Sequence, residues 1–407
     1  MALDHEQLKR RRQERAQMRK AASRRLWIRL GIAAGVLILV IVGIFLFSNG
    51  GKTPGGSQSP TETEPPPTVI HLAAAGDLTV TDRVVATGGE QMNYTQTFLD
   101  VGHLLGAADI SVVNFEGNLV GAPYGSSYMS APNSMMQALD AAGVDLIQLA
   151  NSYSIKNGMS GLSDTIDGVL AAGMEPLGVY ASAEKYKKSG GYTICTVEDV
   201  TIAFVAFTKG MDGMTLPAGN QDCVNLLYTD YDSAYQQVNT EKISAVLDAV
   251  AKEKPDLTVA LVHWGSEFND SVSVTQEKIS TLMLEKGVDA IIGTHPHYLQ
   301  QMVFDEAAGT FIAYSLGDFF GDAQRAGSEY SVVLDLEITK RADGSTKITD
   351  FSYTPIYTVT DQEDLRVVRI YETMTAYESK YIGSVSQSTY ESMKNALDRI
   401  EARINGK

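Results

Sequence analysis

The chain holds six histidines in 407 residues, and two of them flank one proline in IIGTHPHYLQ, residues 291–300. His295 and His297 follow an apolar run that reads as a buried strand. A His-x-His at a strand end can aim two imidazoles into one site, with Pro296 stiffening the turn between them. Three more residues have comparable settings: Asp77 in AAAGDLTV, Glu116 in VVNFEGNLV and His263 in LVHWGSEF. All five fall at or just beyond the C-terminal ends of expected strands, where open α/β sheets place their ligand sites. Carboxylate oxygens and neutral imidazoles together suit a divalent transition metal such as Mn, Zn or Fe. Each residue alone has a plainer explanation: a Gly-Asp turn at Asp77, a local cap at Glu116, a satisfied buried histidine at His263 beside Trp264. The convergence of five such residues on one sheet edge is what favours a site. Asn114 and Trp264, two positions from Glu116 and next to His263, are further candidates for substrate contact.

The elements that must hold these residues alternate between strand and helix. VIHLAAAGDLTV reads as a strand, TFLDVGHLLGAA as a helix, DISVVNFEG as a strand; SMMQALDAAG and GLSDTIDGVLAAG as helices before VDLIQLANS and MEPLGV, respectively. GYTICTVEDVTIAFVAFT has the pattern of a hairpin. TEKISAVLDAVAKEK then leads into PDLTVALVHWG, and TQEKISTLMLEKG into VDAIIGTHPH. This alternation predicts α/β layers with mostly buried central strands. From Leu299 the pattern changes to strands joined by tight turns at Ala308-Gly309 and Asp343-Gly344, read as antiparallel. STYESMKNALDRIEARI closes the chain as an amphipathic helix. The expectation is one domain over 69–360, built on two mixed sheets with helices outside, and a helical extension over 361–407 packed on it.

Charge separates the chain into two regimes. Residues 1–30 carry ten Lys or Arg and three acids, a formal +7, which leaves −23 for the remainder of a chain whose total is −16. A body of that charge repels polyanions at long range, which argues against nucleic acid as a partner. Between the regimes lies LGIAAGVLILVIVGIFLF, Leu30 to Phe47, long enough to cross a bilayer core. The basic leader predicts a cytoplasmic tail (1–25), one membrane-spanning anchor (26–48) and a body outside the cell. A cleaved signal peptide is the competing reading, disfavoured by the long leader and the lack of a small-x-small site. Residues 49–68, rich in Gly, Pro, Ser and Thr, read as a disordered tether. Cys195 and Cys223 allow one disulfide outside the cell, or two buried free thiols, the plainer reading.

AAAGDLTV, VVNFEGNLV, LANSYSIKNGMSGLSDTIDGVLAAGMEPLGV, LVHWGSEF, IIGTHPHYLQ and IAYSLGDFF stand in an order and spacing that resemble the CapA family of capsule and poly-gamma-glutamate biosynthesis proteins. The resemblance spans about Val69 to Asp322. It implies a four-layer α-β-β-α sandwich similar to calcineurin-like metallophosphoesterases. It also implies a role in making, exporting or anchoring an anionic cell-surface polymer alongside synthase components in the membrane. Asp77, Glu116, His263, His295 and His297 match the family's ligand candidates. The departures lie in NSYSIKNG, where the family usually has Asn-Asn-His and then Asp: Asn151 is kept, but Ser152, Tyr153 and Lys156 replace the others. Asp318 in SLGDFF stands where Asn is usual. Asn151, Tyr153 and Asp318 are therefore the candidates for any catalytic role. Two readings follow: a metal that activates water for attack on a phosphoester or another electrophilic bond, or a degenerate site in a scaffold that partners a synthase. The second leads, because Ser and Tyr are weaker as ligand and acid than Asn and His.

Overall fold

The run Val69 to Leu78 is apolar or small at every position but His71 and Asp77, and it forms the middle strand of the larger sheet. In the computed structural model, which describes residues 65–323, 325–361, 365–381 and 385–407, strand β1 (Thr68–Thr79) is buried on both faces from Leu72 to Leu78. One side pairs in parallel with β2 (Ile110–Glu116). The sheet continues through β3 (Leu146–Gln148) and β4 (Glu175–Leu177), both parallel. The other side of β1 changes partner midway. Its N-terminal part pairs antiparallel with the long β12 (Tyr330–Lys340), and its end pairs in parallel with the short β11 (Asp318–Phe320). β13 (Thr346–Val359) and β14 (Arg366–Arg369) complete this eight-stranded sheet.

The second sheet has the order β5 (Thr193–Val197), β6 (Val200–Thr208), β7 (Leu257–His263), β8 (Ala290–Thr294), β10 (Thr310–Ala313), β9 (Met302–Asp305). Its strands alternate between two cores. Phe204, Ala206, Val259, Leu261, Ala290 and Ile292 join the core shared with the first sheet. Ala203, Val205, Phe207, Ala260, Val262 and Ile291 face the other way and form a separate core. That second core includes Ile243, Val246, Leu247 and Val250 of a helix over Thr240–Glu253 and Ile279 and Met283 of a helix over Val274–Glu285. Period-two alternation in strands apolar on both faces is the mark of a sheet covered on both sides. In chain order the helices are α1 (Asp82–Ala86), α2 (Gly102–Ala107), α3 (Asn133–Ala141), α4 (Gly158–Ala172), α5 (Ala183–Ser189), α6 (Thr240–Glu253), α7 (Val274–Glu285), α8 (Ile370–Glu378) and α9 (Gln387–Ile404). The fold is mixed α/β with two mixed sheets, and Pro67–Lys407 belong to one compact unit.

Several expectations change in detail. Of TFLDVGHLLGAA only Gly102–Ala107 is helical. The strands after Leu299 are not all antiparallel: β10 lies parallel to β8, and β11 parallel to β1. The reason is that the chain leaves the second sheet at Ala313 and enters the first at Asp318. The segment beyond 360 contributes β14 as well as helices. Cys195 and Cys223 are both buried and are not joined in a disulfide. The expected membrane anchor and tether lie outside the described residues, apart from Pro65–Thr68. Among the described residues no helix is long and apolar enough to cross a membrane.

The crossing to β11 explains Gly76. Asp77 donates its N–H to the Gly317 carbonyl at 3.0 Å, and a Cβ on Gly76 would fall 1.8 Å from that oxygen. So Gly76-Asp77 is no turn; it is a strand position where two backbones touch. Gly76→Ala is expected to destabilise the protein by about 3 kcal/mol, the upper end of overpacking, which urea unfolding would measure. A cost below about 1 kcal/mol would contradict the close approach.

Candidate metal centre

The first sheet supplies two carboxylates and an amide at one level and a third carboxylate two residues further along. In the parallel register Asp77 of β1 lies opposite Asn114 of β2 and Asp318 of β11, and Thr79 lies opposite Glu116. Asn114 and Glu116 are two apart on β2, hence on one face. Asn114 Nδ2 donates to Asp77 Oδ1 at 2.5 Å, and Thr79 Oγ1 donates to Glu116 Oε2 at 2.9 Å. The second sheet supplies imidazoles. His263 ends β7 beside Thr294 of β8, and His263 Nδ1 lies 3.1 Å from Thr294 Oγ1. His295 and His297 follow β8 with φ of 93° and 57°. Such left-handed backbone in non-glycine residues costs on the order of 1–3 kcal/mol each and persists where the surroundings enforce it. Here the enforcement is visible, since the His295 N–H donates to Asp77 Oδ2 at 2.9 Å, and the Pro296 carbonyl accepts from Phe268 N–H at 2.8 Å.

These residues form two triads, each with one donor atom per residue and all three within 4.8 Å of one another. Glu116, His263 and His295 make one; Asp77, His297 and Asp318 make the other. His263 Nε2 is 3.0 Å from Glu116 Oε1, and His297 Nδ1 is 2.7 Å from Asp318 Oδ1. His297 also joins the triads: its Nδ1 is 3.8 Å from Asp77 Oδ2 and its Nε2 3.8 Å from Glu116 Oε2. Phe268 stacks on the His297 ring at 5.4 Å, and the Arg325 guanidinium lies 4.2 Å from the Phe268 ring centroid.

Electrostatics test whether a cation fits. Asp77 and Glu116 are fully buried, and burial raises both carboxyls, Asp77 to about 7 with the Glu116 charge adding to the push. Burial also drives His263 down to about 3 and holds His295 well below the usual imidazole value, with His263 beside it contributing. For His297 burial alone would lower the ring, but the contact with Asp318 and the Glu116 and Asp77 charges carry it well above. Three buried carboxylates thus share a single readily protonated imidazole. A divalent cation would compensate that charge, and the oxygen–nitrogen donor set suits it. The residues present fit a metal.

All five residues expected to ligate meet here, and Asp318 joins them from the crossing strand. Asn114 is 1% exposed and orients Asp77 from within the site. Asn151 is an organiser: its Nδ2 donates to the Phe115 carbonyl at 2.6 Å and its Oδ1 accepts from Tyr153 N–H at 3.0 Å. Tyr153 is half-buried, and burial pushes its phenol above the usual range, so it stays protonated and is a poor proton donor in catalysis. Trp264 does not face the cleft. It is fully buried in the second core, and its indole N–H donates to the Tyr314 carbonyl at 2.8 Å. Sequence reasoning passed over Thr79, Thr294 and Lys209. The first two were legible as polar neighbours two positions from Asp77 and one before His295. Lys209 lies one residue past β6, and its Nζ donates to the Gly265 carbonyl at 2.7 Å. Ser152, read only as a lost asparagine, places its Oγ 3.1 Å from His263 Nε2 and 3.5 Å from His295 Nδ1.

A buried cluster of imidazoles and carboxylates thus spans the ends of two mixed sheets of an α/β protein, in an arrangement that could hold a divalent ion. The profile of the bacterial capsule synthesis protein family PGA_cap matches residues 71–323, and the chain belongs to that family. The capsule biosynthesis protein CapA of Bacillus anthracis is 29% identical over 195 residues, 48% of this chain and 44% of that one; the chain thus spans less than half the length of this relative. The PGA biosynthesis protein CapA of Bacillus subtilis (strain 168) is 25% identical over 319 residues, 76% of this chain and 78% of that protein. Among solved structures, a phosphatase of Mycoplasma pneumoniae aligns with a TM-score of 0.43 and 11% identity, covering 72% of this chain and 94% of that one.

Proposed function

We propose that this protein is an accessory of capsular polymer synthesis, anchored in the membrane with its folded body outside the cell, that holds a divalent metal beside a membrane synthase. Family membership supports the polymer role, and polyglutamate is the polymer class the Bacillus subtilis relative's name indicates. The basic leader and the apolar run from Leu30 to Phe47 support the anchor. The observation that carries the accessory role is Ser152-Tyr153. Ser152 Oγ sits between His263 and His295, and beside it stands a phenol too weak an acid to protonate a leaving group near neutral pH. A bound divalent ion would supply Lewis acidity and neutralise polyanionic charge. The chain's own residues bind and orient, and the phenol beside Ser152 holds its proton rather than supplying it.

A hydrolase acting on a cell-envelope substrate is the second reading, favoured by His297 Nε2 of one triad lying 3.8 Å from Glu116 Oε2 of the other. Turnover of bis(p-nitrophenyl) phosphate by the metal-loaded protein separates them. The accessory reading expects turnover near background, and a Ser152→Asn/Tyr153→His variant gaining roughly 100-fold, the scale of general acid catalysis. Robust metal-dependent turnover by the parent, abolished in His295→Ala, would defeat the accessory role. Co-purification of synthase components from detergent-solubilised membranes is the matching test of partnership.

A further inference from the structure

One residue beyond His297 the chain borders a cavity of about 290 Å³. Tyr298, whose hydroxyl donates to the Ala326 carbonyl at 2.9 Å, forms one wall with the Ala326-Gly327 loop. Helix α9 forms another, presenting Arg399 and Arg403 one turn apart, with Ala402 between them. Tyr330, 5% exposed, also lines the cavity, and Arg399 reaches its hydroxyl. The acids nearby are committed. Asp270 pairs with Arg403, and the Glu329 carboxylate accepts the Gly327 N–H. Among the described residues Arg399 forms no ion pair. Asp270 itself lines the cavity and offsets Arg403, but Arg399 and Lys407 line it too, so in a body that is −23 beyond residue 30 this cavity is a local exception to the field around it.

We propose that this cavity binds carboxylates of an acidic polymer chain, at a position separate from the metal centre and adjoining it through the His297–Tyr298 backbone. The identity of the ligand rests on the reading above. Guanidinium presents paired N–H donors that match a carboxylate, and such charge-assisted bonds are the stronger ones. The volume sits at the lower edge of ligand sites, roughly 300 Å³, so it accommodates one or two units while the rest of the chain continues outside. The overall negative charge opposes the approach of any polyanion, so binding here depends on the short-range guanidinium contacts offsetting that repulsion.

The test uses the full-length, metal-loaded protein and fluorescently labelled oligoglutamate, with oligoglutamine of equal length as the uncharged control, read by anisotropy. Oligoglutamate is expected to bind at least tenfold more tightly than oligoglutamine. Arg399→Gln, and independently Ala402→Glu, which adds a carboxylate to the wall, are each expected to weaken oligoglutamate binding about tenfold with metal content and melting temperature unchanged. Unaltered affinity in both variants overturns the proposal, as does equal binding of the two oligomers by the parent. Binding lost only in His295→Ala would place the polymer at the metal centre; that result defeats this cavity and leaves the accessory role standing.

Discussion

Asp77→Ala is expected to lower divalent metal affinity by at least about 100-fold, beyond the 10–100-fold typical of losing a supporting residue. Asp77 is the hinge of the cluster. One oxygen accepts from Asn114 at 2.5 Å; the other accepts the His295 N–H at 2.9 Å and lies 3.8 Å from His297 Nδ1. Removing it takes a ligand from one triad and frees the left-handed backbone that aims His295 into the other. Both triads should therefore weaken together. Asn114→Ala, which leaves every ligand in place, should cost only about tenfold. Isothermal titration with Mn²⁺ measures both. Equal affinities for Asp77→Ala and the parent would show that the cluster is structural.

The second large effect is on pH. In the metal-free protein Asp77 is raised to about 7, above the roughly 3.9 of an unfolded chain. Its contribution to stability is then fully present below about pH 4 and lost as pH rises through about 7. His263, lowered to about 3, contributes in the opposite sense: its part is present above about 6.5 and lost as pH falls through about 3. The two oppose each other between about pH 4 and 6.5, and above that range the Asp77 loss stands alone. Metal binding requires Asp77 ionised and His297 unprotonated, so protons compete with it below neutrality. The melting-temperature gap between metal-saturated and metal-free protein should therefore be near zero at pH 6 and on the order of 5 °C at pH 8. A gap that is constant, or that narrows with rising pH, would contradict the assignment of these groups.

The parts legible in the sequence are those carried by local pattern. Strand β1, the β5–β6 hairpin and helices α6 and α7 follow from apolar periodicity, and the five ligand positions follow from polar residues at strand ends. What local pattern does not carry is partner choice. IAYSLGDFF reads as one edge of an antiparallel run, yet β11 crosses to the other sheet and lies parallel to β1. That crossing is what makes Asp318 a member of the second triad and Gly76 a site of backbone contact. Trp264 illustrates the converse. Its neighbour His263 faces the cleft, and period-two alternation should have sent the next side chain to the opposite face, where it packs in the second core. Ser152 was legible as a departure, but its position between two imidazoles depends on contacts across both sheets.

The central claim is that the two triads, brought together from both sheets, hold a divalent metal. Anomalous diffraction at the Mn edge from crystals grown with Mn²⁺ tests it most directly. The account expects a peak within coordination distance, about 2.0–2.3 Å, of Asp77, His297 and Asp318, or of Glu116, His263 and His295. No peak in either triad at any Mn²⁺ concentration the crystals tolerate would contradict it.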